Sequence, residues 1–196
     1  MKEEKDYTLL FVRKDDEILL GMKKRGFGTG KWNGFGGKIE AGETLEQAAI
    51  RELQEESGVV AKTVNRVGYL VFHMDESNKL MKVHVYDCWD YDASALGESD
   101  EMRPKWFALK DIPLEGMWPD DPIWLPLYLK GQCFLGRFEY SDDDTIEDYS
   151  LTEQGPLAQT SAAGGPQGPT GVAGAGTAAV GVAAANEVPK TVFVSP

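Results

Sequence analysis

Residues 34–59 read GFGGKIEAGETLEQAAIRELQEESGV, and they contain the clearest helix signal in the chain. Thr44, followed three residues later by Gln47, forms a capping box at the helix start, and Gly58 is typical of a left-handed helix stop. Between these signals, apolar residues recur at helical spacing: Leu45, Ala48, Ala49 and Leu53. The pattern predicts a helix with one apolar stripe that packs on a sheet.

The other side of this predicted helix carries Glu52, Glu55 and Glu56. Spacings of three and four place the three carboxylates on one surface, where like charges repel one another. A solvated acidic face is one interpretation, and a cation site is the other. The glycine-rich loop Gly34–Lys38 favours the cation site, because missing side chains let backbone approach a ligand, and because Mg²⁺ binds oxygen ligands.

The same stretch carries a known motif: Gly37, then Glu43, then Arg51–Val59 with the sequence RELQEESGV. This spacing matches the Nudix box in full. The chain therefore resembles the Nudix hydrolases, and within them the MutT-like branch that acts on oxidised purine nucleoside triphosphates. The resemblance covers roughly residues 6–152 and extends to five further stretches: Leu20–Gly28, Lys31–Lys38, Val83–Val85, Glu98–Pro104 and Met117–Asp121.

This resemblance implies a metal centre that is also the catalytic site. Glu52, Glu55, Glu56 and the Gly37 carbonyl would coordinate Mg²⁺, for which Mn²⁺ can substitute, and Glu101 would be a further ligand. Either Glu56 or Glu101 would polarise the attacking water. One further role is implied outside the ligand set: Arg51 would pair with Glu43 and thereby fix the loop.

A second group of residues points to recognition of the base. Asp120 and Asp121 are adjacent carboxyls beside Trp118, and a plain acidic turn is the alternative interpretation. Two carboxyls near an apolar wall cannot both ionise cheaply, so we expect one pKa to rise and that group to donate a hydrogen bond. Asn33 would add a donor and an acceptor. The other expected substrate-binding residues are Thr8, Lys23, Phe27, Phe35, Gly36, Gly37, Lys38, Phe72 and Met81.

The implied function is Mg²⁺-dependent hydrolysis of oxidised purine nucleoside triphosphates, such as 8-oxo-dGTP and 2-hydroxy-dATP, to the monophosphate and pyrophosphate. Such an enzyme sanitises the nucleotide pool and prevents mutagenic incorporation. Two alternatives remain open. One is a Nudix hydrolase for ADP-ribose, a dinucleoside polyphosphate or an RNA cap, and the other is a catalytically inactive nucleotide-binding module.

Composition limits the partners. With 32 acidic and 20 basic residues, the net charge of −12 argues against a nucleic-acid polymer, whose phosphates require clustered Lys and Arg. We expect a small-molecule triphosphate as the partner and a monomeric protein. The N-terminal sequence MKEEKDYTLL lacks a secretory or transit pattern, and no membrane association is expected. Cys88 and Cys133 have no metal-type spacing, which favours reduced thiols in the cytoplasm.

The chain divides into residues 1–154, the predicted Nudix domain, and residues 155–196, a tail rich in Gly, Ala and Pro. The tail is expected to be disordered because its small side chains cannot bury enough surface. The first part alternates strand and helix signals, which predicts an α/β (α+β) fold with a mixed sheet between helices. Strands are predicted at Tyr7–Val12, Glu17–Met22, Arg66–His73, Met81–Trp89, Lys105–Leu109 and Gln132–Tyr140, and a second helix at Asp121–Lys130.

Overall fold

The computed structural model describes residues 3–156. Its main sheet contains β1 (Glu3–Lys14), β2 (Glu17–Lys23), β3 (Trp32–Asn33), β5 (Asn65–Met74), β6 (Lys79–Cys88), β8 (Met102–Ala108), β9 (Gln132–Tyr140) and β10 (Ile146–Pro156). A separate pair is formed by β4 (Val60–Ala61) and β7 (Tyr91–Asp92). The helices are α1 (Leu45–Ser57) and α2 (Asp121–Leu129), with short 3₁₀ turns at Leu109–Asp111 and Leu114–Gly116.

The main sheet has the order β10-β9-β5-β6-β1-β2-β3, and β8 pairs with β2. Strand β1 is parallel to β6, and β5 is parallel to β9, whereas the other neighbours are antiparallel. The predicted mixed sheet is therefore confirmed. The first two predicted strands pair with each other as an antiparallel hairpin, in which Val12 lies opposite Leu19.

Both faces of the sheet are covered. Leu10 and Val12 of β1 pack on the α1 side with Leu53, whereas Phe11 packs on the α2 side with Trp124. This double coverage explains why residues 83–88 of β6 are all buried, although their side chains alternate between the two faces of the sheet. The helices therefore lie on opposite sides of one sheet, as the fold class predicts.

The first helix begins and ends where the sequence predicts. The Thr44 hydroxyl accepts the Gln47 backbone N–H at 3.2 Å, and the Gln47 side chain accepts the Thr44 N–H at 2.8 Å. Gly58 closes the helix with φ of 75°, a left-handed conformation that a side chain would strain. Ala48, Ala49 and Leu53 are buried, so the predicted apolar stripe packs on the sheet.

Sequence patterning did not indicate β10. Its sequence IEDYSLTEQGP is mostly polar, and most of its residues are exposed because it is the outermost strand beside β9. The strand includes Gly155 and Pro156, two residues past the predicted domain boundary. The remainder of the predicted disordered tail, 157–196, lies outside the described residues. Within residues 3–156, no helix is long and apolar enough to cross a membrane.

Candidate active site

A cavity of about 780 Å³ lies between the sheet, the Gly34–Lys38 loop, α1 and the start of α2. It brings together nearly all of the residues predicted for the site. Those that line it are Thr8, Lys23, Phe27, Asn33, Gly36, Gly37, Lys38, Glu52, Glu55, Glu56, Phe72, Met81, Glu101, Trp118, Asp120 and Asp121. The exception is Phe35.

Phe35 is completely buried in the core on the α1 side and does not line the cavity. Its backbone bridges to Leu10, with N–H···O distances of 2.7 and 2.9 Å in the two directions. The ring packs in the same cluster as Ala49 and Leu53. The expectation that Phe35 binds substrate is therefore corrected: it supports the loop from behind, while its neighbour Gly36 faces the cavity.

The end of the cavity that holds Glu52, Glu55, Glu56 and Glu101 is its polar end. Within it, Glu56 is buried, with 4% of its surface exposed. One oxygen accepts the Gly36 backbone N–H at 3.0 Å, and the other accepts the Lys23 ammonium at 3.0 Å. Burial raises the pKa of Glu56 in spite of these donors. The pKa of Lys23 is also raised, because its hydrogen bonds to Glu101 and Glu56 and their charges outweigh the effect of burial.

Arg51 organises the remaining carboxylates. Its guanidinium donates to both oxygens of Glu43, at 2.7 and 3.0 Å, which confirms the expected pairing. It also donates to Glu52 at 2.9 Å, to Glu55 at 3.1 Å and to the Lys38 carbonyl at 3.1 Å. Burial nevertheless raises the pKa of Glu52. One fork-shaped cation thus ties the loop to the helix and offsets repulsion between neighbouring carboxylates.

Gly37 lies against the carboxylate of Glu52. A Cβ atom at this position would be 2.5 Å from Glu52 Oε1, closer than real Cβ contacts allow. Its carbonyl oxygen accepts the Thr8 backbone N–H at 2.9 Å, which holds the loop against β1. The need for glycine here is one of space, because it lets the loop backbone reach the acidic face of α1.

The polar end fits a divalent cation by the chemistry of its donors. Glu52, Glu55, Glu56, Glu101 and Gly37 bring hard oxygen donors to one cavity, and such donors suit Mg²⁺. Lys23 Nζ lies between Glu56 and Glu101, 3.0 and 2.9 Å from their oxygens, so a positive charge is already stabilised there. In residues 3–156 no three acidic, His or Cys side chains stand close enough to form a ready metal cluster.

The other end of the cavity holds the predicted aspartate pair. Asp120 accepts from Trp124 Nε1 at 2.8 Å and from the Tyr140 hydroxyl at 2.6 Å, so both of its oxygens are bonded within the protein. Asp121 accepts the Trp118 backbone N–H at 2.9 Å through one oxygen. Burial raises both pKa values, and it raises the pKa of Asp121 furthest, since the charge of Asp120 adds to the effect.

The walls around this pair are aromatic. The rings of Phe27 and Trp118 stack with centroids 4.7 Å apart, and Lys31 Nζ lies 4.9 Å from the centre of Trp118. Gly28 is essential to this arrangement for two reasons: its φ is +79°, and a Cβ would be 2.8 Å from the Trp118 ring. Across the cavity, Phe72 stacks on Phe138 at 5.5 Å.

Two polar groups remain available to a ligand. The Thr8 hydroxyl is buried and has no hydrogen-bond partner within the described residues, although Thr8 lines the cavity. Asn33 uses its amide oxygen to accept the Gly34 N–H at 2.8 Å, which leaves the NH₂ group as its donor. The amide oxygen has a second lone pair, so Asn33 can still offer a ligand both a donor and an acceptor, as predicted.

Sequence reasoning did not single out Tyr140, Trp124 or Lys31 as site residues, although all three line the cavity. Tyr140 lies at the end of a predicted strand, and Trp124 lies within a predicted helix. The only local signal was the spacing of four between Asp120 and Trp124, which places their side chains on one helical face. Nothing in the sequence indicated that Tyr140 reaches Asp120.

The class of protein follows from three features of this site. The acidic face of α1 lies against the glycine-rich loop Gly34–Lys38, and an aromatic pocket lies beside them. The NUDIX domain model matches residues 5–128, and the chain belongs to the Nudix family. The predicted Nudix hydrolase is thereby confirmed, and hydrolases of this family generally use divalent metal ions.

Within that family, the chain is similar to curated proteins named oxidized purine nucleoside triphosphate hydrolase. It is 49% identical to the mouse protein, over 78% of this chain and 97% of that one. It is also 49% identical to the zebrafish protein, over 74% and 93% of the two chains. Among solved structures, a MutT protein from Bacillus halodurans superposes with a TM-score of 0.67 at 24% identity, over 75% of this chain and 97% of that one, which supports the fold.

Proposed function

We propose that this protein hydrolyses oxidised purine nucleoside triphosphates, such as 8-oxo-dGTP and 2-hydroxy-dATP, to the monophosphate and pyrophosphate, with Mg²⁺ as cofactor. The observation that carries the proposal is the buried Asp120–Asp121 pair, which faces the same cavity as the carboxylates of α1. A hydrolase that acted only on phosphate groups would gain nothing from two costly buried carboxyls away from the reacting bond. The two 49% identical relatives are named for this substrate class.

The polar end holds the triphosphate. Glu52, Glu55, Glu56, Glu101 and the Gly37 carbonyl would hold Mg²⁺, which when bound neutralises phosphate charge and lowers the pKa of a bound water. Lys23 and Lys38 line this part of the cavity and supply positive charge to phosphate oxygens. Arg51 holds Glu52 and Glu55 in place through hydrogen bonds of 2.9 and 3.1 Å, so the carboxylates are positioned before substrate arrives.

Glu56 is the better general base of the two candidates. Its pKa is raised by burial, whereas hydrogen bonds from Lys23 and Arg25 lower the pKa of Glu101. A base with a raised pKa has a greater drive to take a proton from water at neutral pH. Glu56 would accept that proton as the water oxygen bonds to phosphorus, and the phosphorus–oxygen bond to the leaving pyrophosphate would break.

The end of the cavity that holds Asp120 and Asp121 recognises the purine base. The raised pKa of Asp121 favours its protonated form, which donates a hydrogen bond, while a carboxylate form of the pair accepts one, so the pair matches different arrangements of donors and acceptors. Asn33 adds an NH₂ donor, and Trp118 presents a ring face for stacking. One pocket can therefore accept both an oxidised guanine and an oxidised adenine.

Hydrolysis assays over a nucleotide panel test the proposal: pyrophosphate release is measured for the triphosphates, and AMP formation is measured for ADP-ribose, whose hydrolysis releases no pyrophosphate. Wild-type protein is compared on 8-oxo-dGTP, 2-hydroxy-dATP, dGTP, dATP and ADP-ribose, with Mg²⁺, with Mn²⁺ and with chelator. We expect kcat/KM for both oxidised purines to exceed that for dGTP and dATP, and release to stop with chelator. A higher rate on ADP-ribose would instead assign another Nudix substrate, and no turnover of any nucleotide would assign a binding module.

Variants of the aspartate pair then test recognition of the base separately from the hydrolytic reaction. Asp120→Asn is expected to change the ratio of kcat/KM for 8-oxo-dGTP and 2-hydroxy-dATP, while the Mg²⁺ concentration for half-maximal rate stays the same. The matched control is Asp111→Asn, because Asp111 is exposed and lies outside the cavity. An unchanged ratio in Asp120→Asn would remove the pair from base recognition.

We further infer that the protein acts as a monomer in a reducing compartment, the cytoplasm. Cys88 is buried and both Cys88 and Cys133 are free thiols, as expected where thiols stay reduced. The cavity is lined by residues of one chain, so one copy holds every residue that the proposal requires. Sedimentation at assay concentration tests this: a dimer with unchanged activity on dilution would contradict it.

A further inference from the structure

A second buried polar cluster lies beside α2, outside the cavity lining. It consists of Arg13 from β1, Asp87 from β6, Trp89 just after β6, and Tyr128 from the last turn of α2. Asp87, Arg13 and Tyr128 are buried, with 6%, 8% and 2% of their surfaces exposed. The catalytic proposal uses none of them, and burying a carboxylate and a guanidinium is costly unless the two charges are paired and hydrogen-bonded.

The contacts within this Asp87 cluster are short and directional. The Tyr128 hydroxyl donates to Asp87 Oδ1 at 2.6 Å, and Trp89 Nε1 donates to Asp87 Oδ2 at 2.5 Å. The Arg13 guanidinium lies 4.8 Å from the centre of the Trp89 ring and 5.5 Å from that of Tyr128. Asp87 therefore has both oxygens satisfied by donors and a cation nearby.

The cluster is attached to the helix that carries base recognition. Asp121 is the first residue of α2 and Tyr128 is the eighth, so about 10 Å of helix joins them. Most other contacts of α2 with the sheet are apolar, such as Phe11 against Trp124 and against Tyr128 at 5.9 and 5.2 Å. Apolar packing is not directional, and it permits small shifts along a helix axis that a hydrogen bond forbids.

We propose that Asp87 and Tyr128 are positioning residues for base selectivity: their hydrogen bond fixes α2 along its axis and so sets where Asp120 and Asp121 stand in the cavity. This inference rests on the proposed function, since it presumes that the aspartate pair reads the base. At its other end, α2 is held to β9 by the hydrogen bond that the Tyr140 hydroxyl donates to Asp120. Strands β6 and β9 thus hold the helix at its two ends.

The position of the pair matters because hydrogen bonds weaken steeply with small changes of distance and angle. A shift of α2 would weaken contacts to the base and leave the carboxylates of α1 where they are, because α1 and α2 pack in separate apolar clusters. The expected effect therefore falls on discrimination between bases and on KM, and leaves the rate of the chemical step nearly unchanged.

Tyr128→Phe tests the inference, because it removes the hydroxyl and keeps the ring beside Phe11. The matched control is Tyr86→Phe: Tyr86 is also buried on the sheet and donates to a carboxylate, Glu46 at 3.2 Å, but it packs on the α1 side. We expect Tyr128→Phe to lower the kcat/KM ratio of 8-oxo-dGTP to dGTP by about tenfold, mainly through KM, as misplacement of a binding group does. Tyr86→Phe should leave that ratio within about twofold, the scatter allowed for an uncoupled site.

A second variant separates an effect on base selectivity from a general loss of stability. Tyr128→Phe leaves the Asp87 carboxylate buried with one donor fewer, so the double variant Tyr128→Phe/Asp87→Leu removes the charge as well. Because buried Arg13 loses its nearby negative charge and Trp89 Nε1 loses its acceptor in the double variant, its melting temperature should fall below that of the single variant, while the lowered base ratio, measured below both melting temperatures, should persist. Melting shifts with an unchanged ratio in both variants would overturn the inference and assign the cluster to stability alone. Failure of the proposed function gives a different result: wild-type protein would then show no preference for oxidised purines.

Discussion

Lys23 Nζ lies 3.0 Å from Glu56 Oε1 and 2.9 Å from Glu101 Oε2, so one ammonium group joins a buried carboxylate of α1 to the loop that leads into β8. The two acids have opposite environments: burial raises the pKa of Glu56, whereas hydrogen bonds from Lys23 and Arg25 lower the pKa of Glu101. This difference separates their roles. The lowered pKa favours the charged form of Glu101, and the raised pKa makes Glu56 the stronger base of the two.

Glu56→Gln is expected to lower kcat by about 10²–10⁴, the usual loss for a general base, while nucleotide binding stays measurable. The amide keeps the shape of the side chain and can still accept the Gly36 N–H. Single-turnover kinetics and calorimetric titration with 8-oxo-dGTP separate the two quantities. The control is Glu46→Gln on the same helix, outside the cavity, and it should retain kcat. Retained turnover in Glu56→Gln would remove this residue from the mechanism.

Gly37→Ala is expected to lower kcat by about 10²-fold while the protein remains folded, because the new methyl group displaces Glu52 by a fraction of an ångström or more. The added Cβ would otherwise lie 2.5 Å from Glu52 Oε1. Gly97→Ala is the matched control, since the nearest atom to its added Cβ, the Ala95 carbonyl oxygen, is 3.8 Å away. Circular dichroism confirms folding of both variants. Equal kcat values for the two would show that Glu52 needs no fixed position.

The sequence predicted α1, its two ends and the residues on its acidic face, because capping and helical periodicity are local signals. It also predicted that Asp120 and Asp121 form a perturbed pair, since adjacency alone brings two charges together. It misplaced Phe35, whose direction depends on a bridge to Leu10 on a distant strand. The partners Tyr140 and Asp87 were not predicted, because each meets its contact only through the order of strands in the sheet.

Arg51→Lys is expected to lower both the melting temperature and kcat, although the charge is retained. A guanidinium donates to Glu43, Glu52, Glu55 and the Lys38 carbonyl at once, and an ammonium lacks that fork. Arg66→Lys is the control, because Arg66 lies over the Tyr69 ring and outside the cavity. A thermal melt and the pyrophosphate-release assay measure the two effects. If Arg51→Lys matches Arg66→Lys in both, the fork has no role in holding the carboxylates.

Asp121→Asn is expected to make the protein more stable than wild type at neutral pH and nearly equal to it near pH 4. Burial and the charge of Asp120 raise the pKa of Asp121 well above its ordinary value, so the folded protein keeps a proton that the unfolded chain releases above about pH 4. Because the unfolded state then binds fewer protons, wild-type stability falls with rising pH, by up to about 1.4 kcal/mol per pH unit.

Asparagine has no proton to release, so this slope disappears in the variant, while its amide oxygen still accepts the Trp118 N–H. Urea unfolding of both proteins between pH 4 and pH 8 measures the difference, with exposed Asp111→Asn as the control for a surface aspartate. The free-energy gap should open as pH rises through the window above pH 4 and close below it. A gap that is the same at every pH would mean that Asp121 is ionised in the folded protein, and Asp121 would then accept a hydrogen bond from the base instead of donating one.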